Sequence, residues 1–333
     1  MLLNENSTLA ERHKPNVILR NEPVLSEYEV DRGFNEMKKE LVPHITQLVA
    51  GHDLFKDEEE VYIEFAQVGI SSIIAIIETP ARKCVLKIPR DKKFSAGLEL
   101  FSTVWNDAGV RVPNIIETGE VHGSPYALME YIEAPILADA MNEGASFANN
   151  PFIEMGKTLR RMHSKKVVGY GFVVDDKPEF LTVEDWLAGQ DMKKRFDYIE
   201  KHNLLDGIED LLPKALATIK LHSEQTGSTY CHTDYVPKNI FATEPITVFD
   251  PNPKFNNSYY DLGLVRLSDI SQGASCESST KLFEGYFTEE ECDERVLNAY
   301  TFLALCIKYP YWHKTGKEKQ LESAKEYFRQ HQI

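Results

Sequence analysis

The chain has 333 residues, more than one ordinary core accommodates, so two domains or lobes able to enclose a cleft are expected. A hydrophobic content of 42% and an aromatic content of 11% argue against extended disorder. The net charge of -15 argues against nucleic acid as a partner, because a polyphosphate needs a Lys and Arg surface that releases counterions. Cationic or neutral partners fit better, and a phosphate-bearing ligand stays open where a local cation or metal offsets the field.

The start, MLLNENSTLAERHKP, lacks a signal pattern, and the longest apolar run, ISSIIAII over 70–77, is too short to span a bilayer. No membrane association and a cytoplasmic location are therefore expected. Cys84, Cys231, Cys276, Cys292 and Cys306 are scattered and form no CxxC pair, so neither a disulfide framework nor a structural zinc site is indicated.

Residues 1–60 read as a helical N-terminal extension, with Phe34, Met37, Leu41 and Ile45 on one face and an interruption at Pro43. From Val61 the period changes to two. VYIEFAQ, SIIAIIE and KCVLKIP predict an antiparallel meander, SAGLELFSTVWNDAG a helix ending at Gly109, and VPNIIETGEVHGSPYALMEYI two further strands about a Gly-Ser-Pro turn. Past Pro135 the patterns are mostly helical, from NNPFIEMGKTLRRMHSKK to SAKEYFRQHQI. The plan is α+β: a strand-rich lobe with one helix over 61–132, then a larger helical lobe over 133–333.

Chemistry concentrates in CHTDYVPKNIFATEPITVFD. Residues 239–250 predict a tight hairpin with TEP as its turn, and the outer ends of an antiparallel pair are neighbours, so Asn239 and Asp250 meet at its mouth. An amide oxygen and a carboxylate are hard ligands suited to Mg²⁺. Asp234 faces the same mouth, able to accept a hydroxyl proton or orient a nucleophile, and His232 is grouped with it as a brace for the loop. A polar turn formed by Asp and Asn competes with this reading for HxDxxxxN alone, and the second acid at the far end of the hairpin weighs against it. Upstream, Lys87 sits on an inward strand face where a lysine needs a partner, which Glu99 can supply. Gly69 and the hydroxyls after it lie where backbone N–H groups can cover phosphates.

The order Gly69-Ile70-Ser71, Lys87, Glu99 followed by WNDAGVRVP, then LMEYI, HTDYVPKN and VFDPNP resembles the aminoglycoside phosphotransferase family from about Val61 to Gly263. The resemblance implies a bilobal protein-kinase-like fold and transfer of the γ-phosphate of Mg²⁺-bound ATP or GTP to a hydroxyl. It implies Asp234 as catalytic base, Asn239 and Asp250 as magnesium ligands, and Lys87 on the α- and β-phosphates, positioned by Glu99. It also implies Ser71 at phosphate and Met129, Glu130, Tyr131 and Ile132 at the base. VFDPNP departs from the family's more usual Asp-Trp-Glu type ending, and Lys238 stands where a small residue is usual.

Protein kinase activity is disfavoured, because YYDLG follows Asp250 almost at once and no Ala-Pro-Glu element appears; Asp261 is expected to brace the loop. A small-molecule hydroxyl acceptor is expected, either an aminoglycoside, which the acidic run FTEEECDER suits, or a metabolite such as a sugar or amino-alcohol. A catalytically silent nucleotide-binding module is the reading from another class.

Overall fold

The computed structural model describes residues 14–67, 71–273, 275–288, 291–331 and 333. They cluster into two compact units, one running to Lys92 and including Ile115–Tyr131, the other formed by Lys93–Asn114 and Ile132–Ile333.

In the first unit, alternating apolar residues produce β2 (Glu60–Phe65), β3 (Ser72–Glu78) and β4 (Lys83–Pro89), followed by β5 (Ile115–Val121) and β6 (Ser124–Glu130). A strand that sequence patterning misses, β1 (Asn16–Leu19), pairs parallel with β2 and completes a six-stranded sheet in the order β1-β2-β3-β4-β6-β5. Four half-exposed residues carry too little alternation to announce themselves. The turn between β5 and β6 falls at His122-Gly123, both at positive φ, not at Gly-Ser-Pro. A two-residue loop of that kind matches the twist of its flanking strands.

Helix α1 (Arg32–Gly51) runs through Pro43 without interruption. Phe34, Leu41, Ile45 and Val49 bury one stripe in the same core as Val61, Ile63, Phe65, Ile77, Leu86 and Ile88, while Pro43 lies on the exposed face. Burial of that stripe outweighs the roughly 3 kcal/mol that an interior proline costs. Residues 14–60 thus contribute β1 and the buried stripe of α1 to the sheet and core of this unit.

The second unit begins with α2 (Leu98–Asp107), which the sequence assigns to the strand-rich lobe. Its buried Phe101, Val104 and Trp105 belong instead to the larger core, with Phe101 4.9 Å from Tyr230 and 5.2 Å from Phe255 by ring centroids. Then follow α3 (Leu137–Asn142), α4 (Pro151–Met162), β7 (Lys166–Val167), β8 (Tyr170–Val174), β9 (Lys177–Phe180), α5 (Val183–Ala188), α6 (Gln190–Lys201) and α7 (Leu211–Thr226). Strand β10 (Ser228–Cys231) leads into the hairpin β11 (Ile240–Phe241) and β12 (Thr247–Val248), then β13 (Lys254–Asn256). The chain closes with α8 (Ser258–Ser271), α9 (Glu277–Tyr286), α10 (Glu294–Lys314) and α11 (Glu318–Gln330).

Strands β7-β10-β13-β8-β9 form one sheet in that order, β11 and β12 another. Most residues of α8 are buried, as befits a central core helix. Helices α4 and α9 meet backbone to backbone at two glycines. A Cβ at Gly156 would lie 1.9 Å from the Leu282 carbonyl oxygen, and one at Gly285 2.1 Å from that of Ile153.

Candidate functional site

In the first unit, Lys87 is buried on β4, in register with Ile74 on β3 and Ala127 on β6. Cys84, Leu86 and Ile88 fill the core on the other side of the strand, so Lys87 and Val85 share the opposite face. Ser71 is half-buried just before β3, and its carbonyl accepts from Arg90 N at 2.8 Å. Met129 and Glu130 end β6 in register with Val85 and Cys84. Tyr131 follows with the Lys83 ammonium 5.5 Å from its ring centre, and Ile132 starts the longer segment of the second unit. Gly69 lies outside the described residues. Glu99 stands exposed in the first turn of α2 in the second unit, so Lys87 and Glu99 belong to different compact units.

In the second unit the loop after β10 is tied down at almost every residue. The Asp261 carboxylate, fully buried on α8, accepts from the backbone N–H of His232 at 2.8 Å and of Thr233 at 2.7 Å, and it meets His163 Nε2 at 3.0 Å. Thr233 takes a left-handed φ of 61° and donates its hydroxyl to Asn252 O at 2.7 Å. Such a conformation costs on the order of 1–3 kcal/mol in a non-glycine residue and persists where the surroundings over-determine it.

His232 is wholly buried. Its Nε2 donates to Phe249 O at 3.0 Å and its Nδ1 accepts from Asp234 N at 3.3 Å, so the geometry specifies the neutral Nε2–H tautomer. Burial lowers its pKa, against the pull of Asp261 and Asp234. With both ring nitrogens occupied by backbone, His232 joins the loop to the hairpin and positions Asp234. A direct proton transfer by this ring is not available.

Asp234 is about a quarter exposed. Its carboxylate accepts from Asn239 Nδ2 at 2.8 Å, and the same amide group also donates to Asp234 O at 2.8 Å. Lys238, well exposed, holds its ammonium 3.8 Å from Asp234 Oδ2. Burial pushes the Asp234 carboxyl up, but Lys308, Lys238, His232 and the Asn239 amide together outweigh it and leave the pKa below the ordinary aspartate value. Asp234 is therefore ionised at neutral pH.

Hairpin register pairs Ile240 with Val248 and Phe241 with Thr247, and Phe249 N donates to Asn239 O at 3.0 Å. Asp250 follows directly at φ 55°, so the ladder brings Asn239 and Asp250 to the hairpin mouth. The Asn239 nitrogen is committed to Asp234, and the amide oxygen of Asn239 and the carboxylate of Asp250 are both hard oxygen donors by type.

The acidic run 287–295 has structural uses: Asp293 caps α10 by accepting from Arg295 N and Val296 N, and Glu294 pairs with Arg266 at 2.5 Å. Sequence reading misses a recess lined by Lys93, Phe172, Glu179, Phe180, Trp186, Arg195, Lys254 and Ile307, because its walls come from separate stretches of chain.

Among the described residues no helix is long and apolar enough to cross a membrane. Residues 64–291, well over half of the chain, match the phosphotransferase enzyme family known as APH. A relative from Staphylococcus aureus (strain NCTC 8325 / PS 47), named "Probable ketoamine kinase", is 25% identical over 210 residues, covering 56% of this chain and 67% of that protein. The apo form of a thermostable mutant of aminoglycoside phosphotransferase APH(4)-Ia superposes with a TM-score of 0.60 at 15% identity, covering 83% of this chain and 97% of that one. A further variant of the same enzyme, in a ternary complex with ADP and hygromycin B, gives a TM-score of 0.60 at 15% identity over 83% and 96% of the two chains. Those structural likenesses bear on the fold, and the expected α+β protein-kinase-like fold is the one found. The chain belongs to the APH phosphotransferase enzyme family and is a phosphotransferase of small-molecule acceptors.

Proposed function

We propose that the protein transfers the γ-phosphoryl group of ATP or GTP to a hydroxyl of a metabolite. The observation that carries this reading is the mouth of the β11–β12 hairpin, where one asparagine binds the Asp234 carboxylate through its nitrogen and keeps its oxygen for a cation. Asn239 and Asp250 would hold magnesium, and their donor set fits a hard divalent ion. When bound, the ion supplies positive charge that neutralises the phosphate oxygens.

Asp234 orients the acceptor hydroxyl and takes its proton as the bond to phosphorus forms. A depressed carboxylate pKa suits a loose transition state, in which the proton leaves late and alignment matters more than base strength. Lys87 engages the α- and β-phosphates, with Ser71 near phosphate. Met129, Glu130, Tyr131 and Ile132 offer backbone groups to the base. The presence of Lys87, Asp234, Asn239 and Asp250 together speaks against a silent module.

Two acceptor classes compete. The relative named a ketoamine kinase supports a metabolic acceptor, while the hygromycin-bound neighbour belongs to an antibiotic enzyme at lower identity. Within the acidic run Asp293 caps α10 and Glu294 pairs with Arg266, so these two acids have a structural use besides attraction of a cationic acceptor. The test is mass spectrometry after incubation with Mg²⁺, ATP or GTP, and a panel of sugars, ketoamines, amino-alcohols and aminoglycosides. A phosphate-mass shift on a metabolite, absent with Asp234→Asn, is expected. A shift on aminoglycosides alone would overturn the metabolic reading, and full transfer by Asp234→Asn the role given to Asp234.

A further inference from the structure

The recess beside the catalytic loop has a sign of charge opposite to that of the protein. Lys254 on β13 lies across from Cys231 on β10, three residues before Asp234, so the sheet ties the recess to the loop. The Lys254 ammonium sits 4.5 Å from the centre of the Phe172 ring, and that of Lys93 5.1 Å from the same ring. Arg195, half-buried on α6, donates to Ile307 O at 2.7 Å. Lys308 follows Ile307, half-buried on α10, where burial and then Asp234 set its charge balance, with Lys238, Arg195 and Lys317 opposing.

Two acids accompany these cations, and both are exposed: Glu179 on β9, and Asp191, which pairs with Lys93 at 3.4 Å while both side chains are about half exposed. With those acids at the rim, Lys254 and Arg195 are the half-buried cations of the lining. The first turn of α6, residues 190–192, also lines the recess and adds the positive end of a helix. Arg195 works against the charge of Lys254, and an anion bound beside the two would relieve that repulsion.

From this arrangement we infer that the acceptor carries an oxyanion, a carboxylate or phosphate, which docks on Lys254 and Arg195 while its hydroxyl is presented to Asp234. The inference rests on the kinase reading for the hydroxyl and deepens it by naming the substrate class. A cavity of about 70 Å³ suits a small head group and not a whole sugar-sized acceptor. Phe172, Phe180 and Trp186 give an apolar wall against which carbon atoms next to the anion can pack. A polycationic acceptor would meet like charge at this point.

Matched probes decide it. Gluconate, glucitol, glucosamine and glucose 6-phosphate are titrated calorimetrically into the wild type, Lys254→Met and Lys254→Arg, each checked for native circular dichroism. Anionic probes are expected to bind about tenfold tighter or more than glucitol, with glucosamine weakest. Lys254→Met should reduce that preference to within about threefold, and Lys254→Arg should keep it. The two anionic probes distinguish carboxylate from phosphate. Equal or tighter binding of glucosamine, binding of none of the four, or a preference that survives in folded Lys254→Met would overturn the inference. Nucleotide hydrolysis insensitive to Asp234→Asn would instead overturn the kinase reading, which the binding data do not touch.

Discussion

The loop from Cys231 to Asn239 and the recess around Lys254 are joined through the pairing of β10 with β13, yet they are held in opposite ways. In the loop, polar groups are satisfied by backbone: Asp261 takes two N–H groups, and His232 spends both ring nitrogens on main chain. In the recess, Lys93 and Lys254 lie over the ring of Phe172, and burial pushes the Lys254 pKa down to about 8. The difference teaches that the groups proposed to react are fixed by the chain's own backbone, whereas those proposed to face an acceptor are held by side chains and an aromatic face.

The sharpest break in that comparison comes from Asp234→Asn, which keeps the shape of the loop. Turnover should fall by about 10² to 10⁴ while the melting temperature stays put, read by ADP release and calorimetry. Second is Asp261→Leu, which orphans two buried N–H groups and the His163 contact. A loss of about 3–5 kcal/mol is expected in urea unfolding, and a loss under about 1 kcal/mol would show that the loop is not braced from α8. Gly285→Ala, away from both regions, should cost about 1–3 kcal/mol through overpacking against α4, without changing KM.

A pH titration sharpens the other side. Lys254 has a folded pKa of about 8, depressed from 10.5 by burial first and then by Arg195 and Lys308, with Asp191 and Glu179 opposing. The protonated form is thus disfavoured by folding. That penalty is full below about pH 8 and is relieved between about 8 and 10.5, where the unfolded chain still holds the proton. Wild-type stability should rise relative to Lys254→Met across that window, the smallest of these effects. Over the same range KM for an anionic acceptor should climb in the wild type and stay flat in Lys254→Met.

Legibility in the sequence follows the same divide. Asp234, Asn239 and Asp250 stand within one hairpin-sized stretch, so period-two patterning and turn chemistry are enough to bring the last two together. Strands β2 and β3 alternate between buried and less buried residues and are readable for that reason. The amphipathic pattern of α2 states that Phe101 and Trp105 are buried without stating against what, and they pack in the larger core. The β8–β9 hairpin turns at Asp175-Asp176, both at positive φ, where no glycine marks it. Lys254 gave no signal at all, since a single lysine in KFN acquires meaning only beside Phe172, Arg195 and Lys308.

Strand β1 carries a consequence for handling the protein. Its four residues occupy the side of β2 that would otherwise present an open row of donors and acceptors, while at the far margin β5 is exposed and bears Glu117 and Glu120. One border of the sheet is sealed by a short strand and the other is guarded by charge. Trimming the chain through Leu19 should therefore show itself less as a lower melting point than as concentration-dependent self-association, with the bared border of β2 recruiting its counterpart in another molecule.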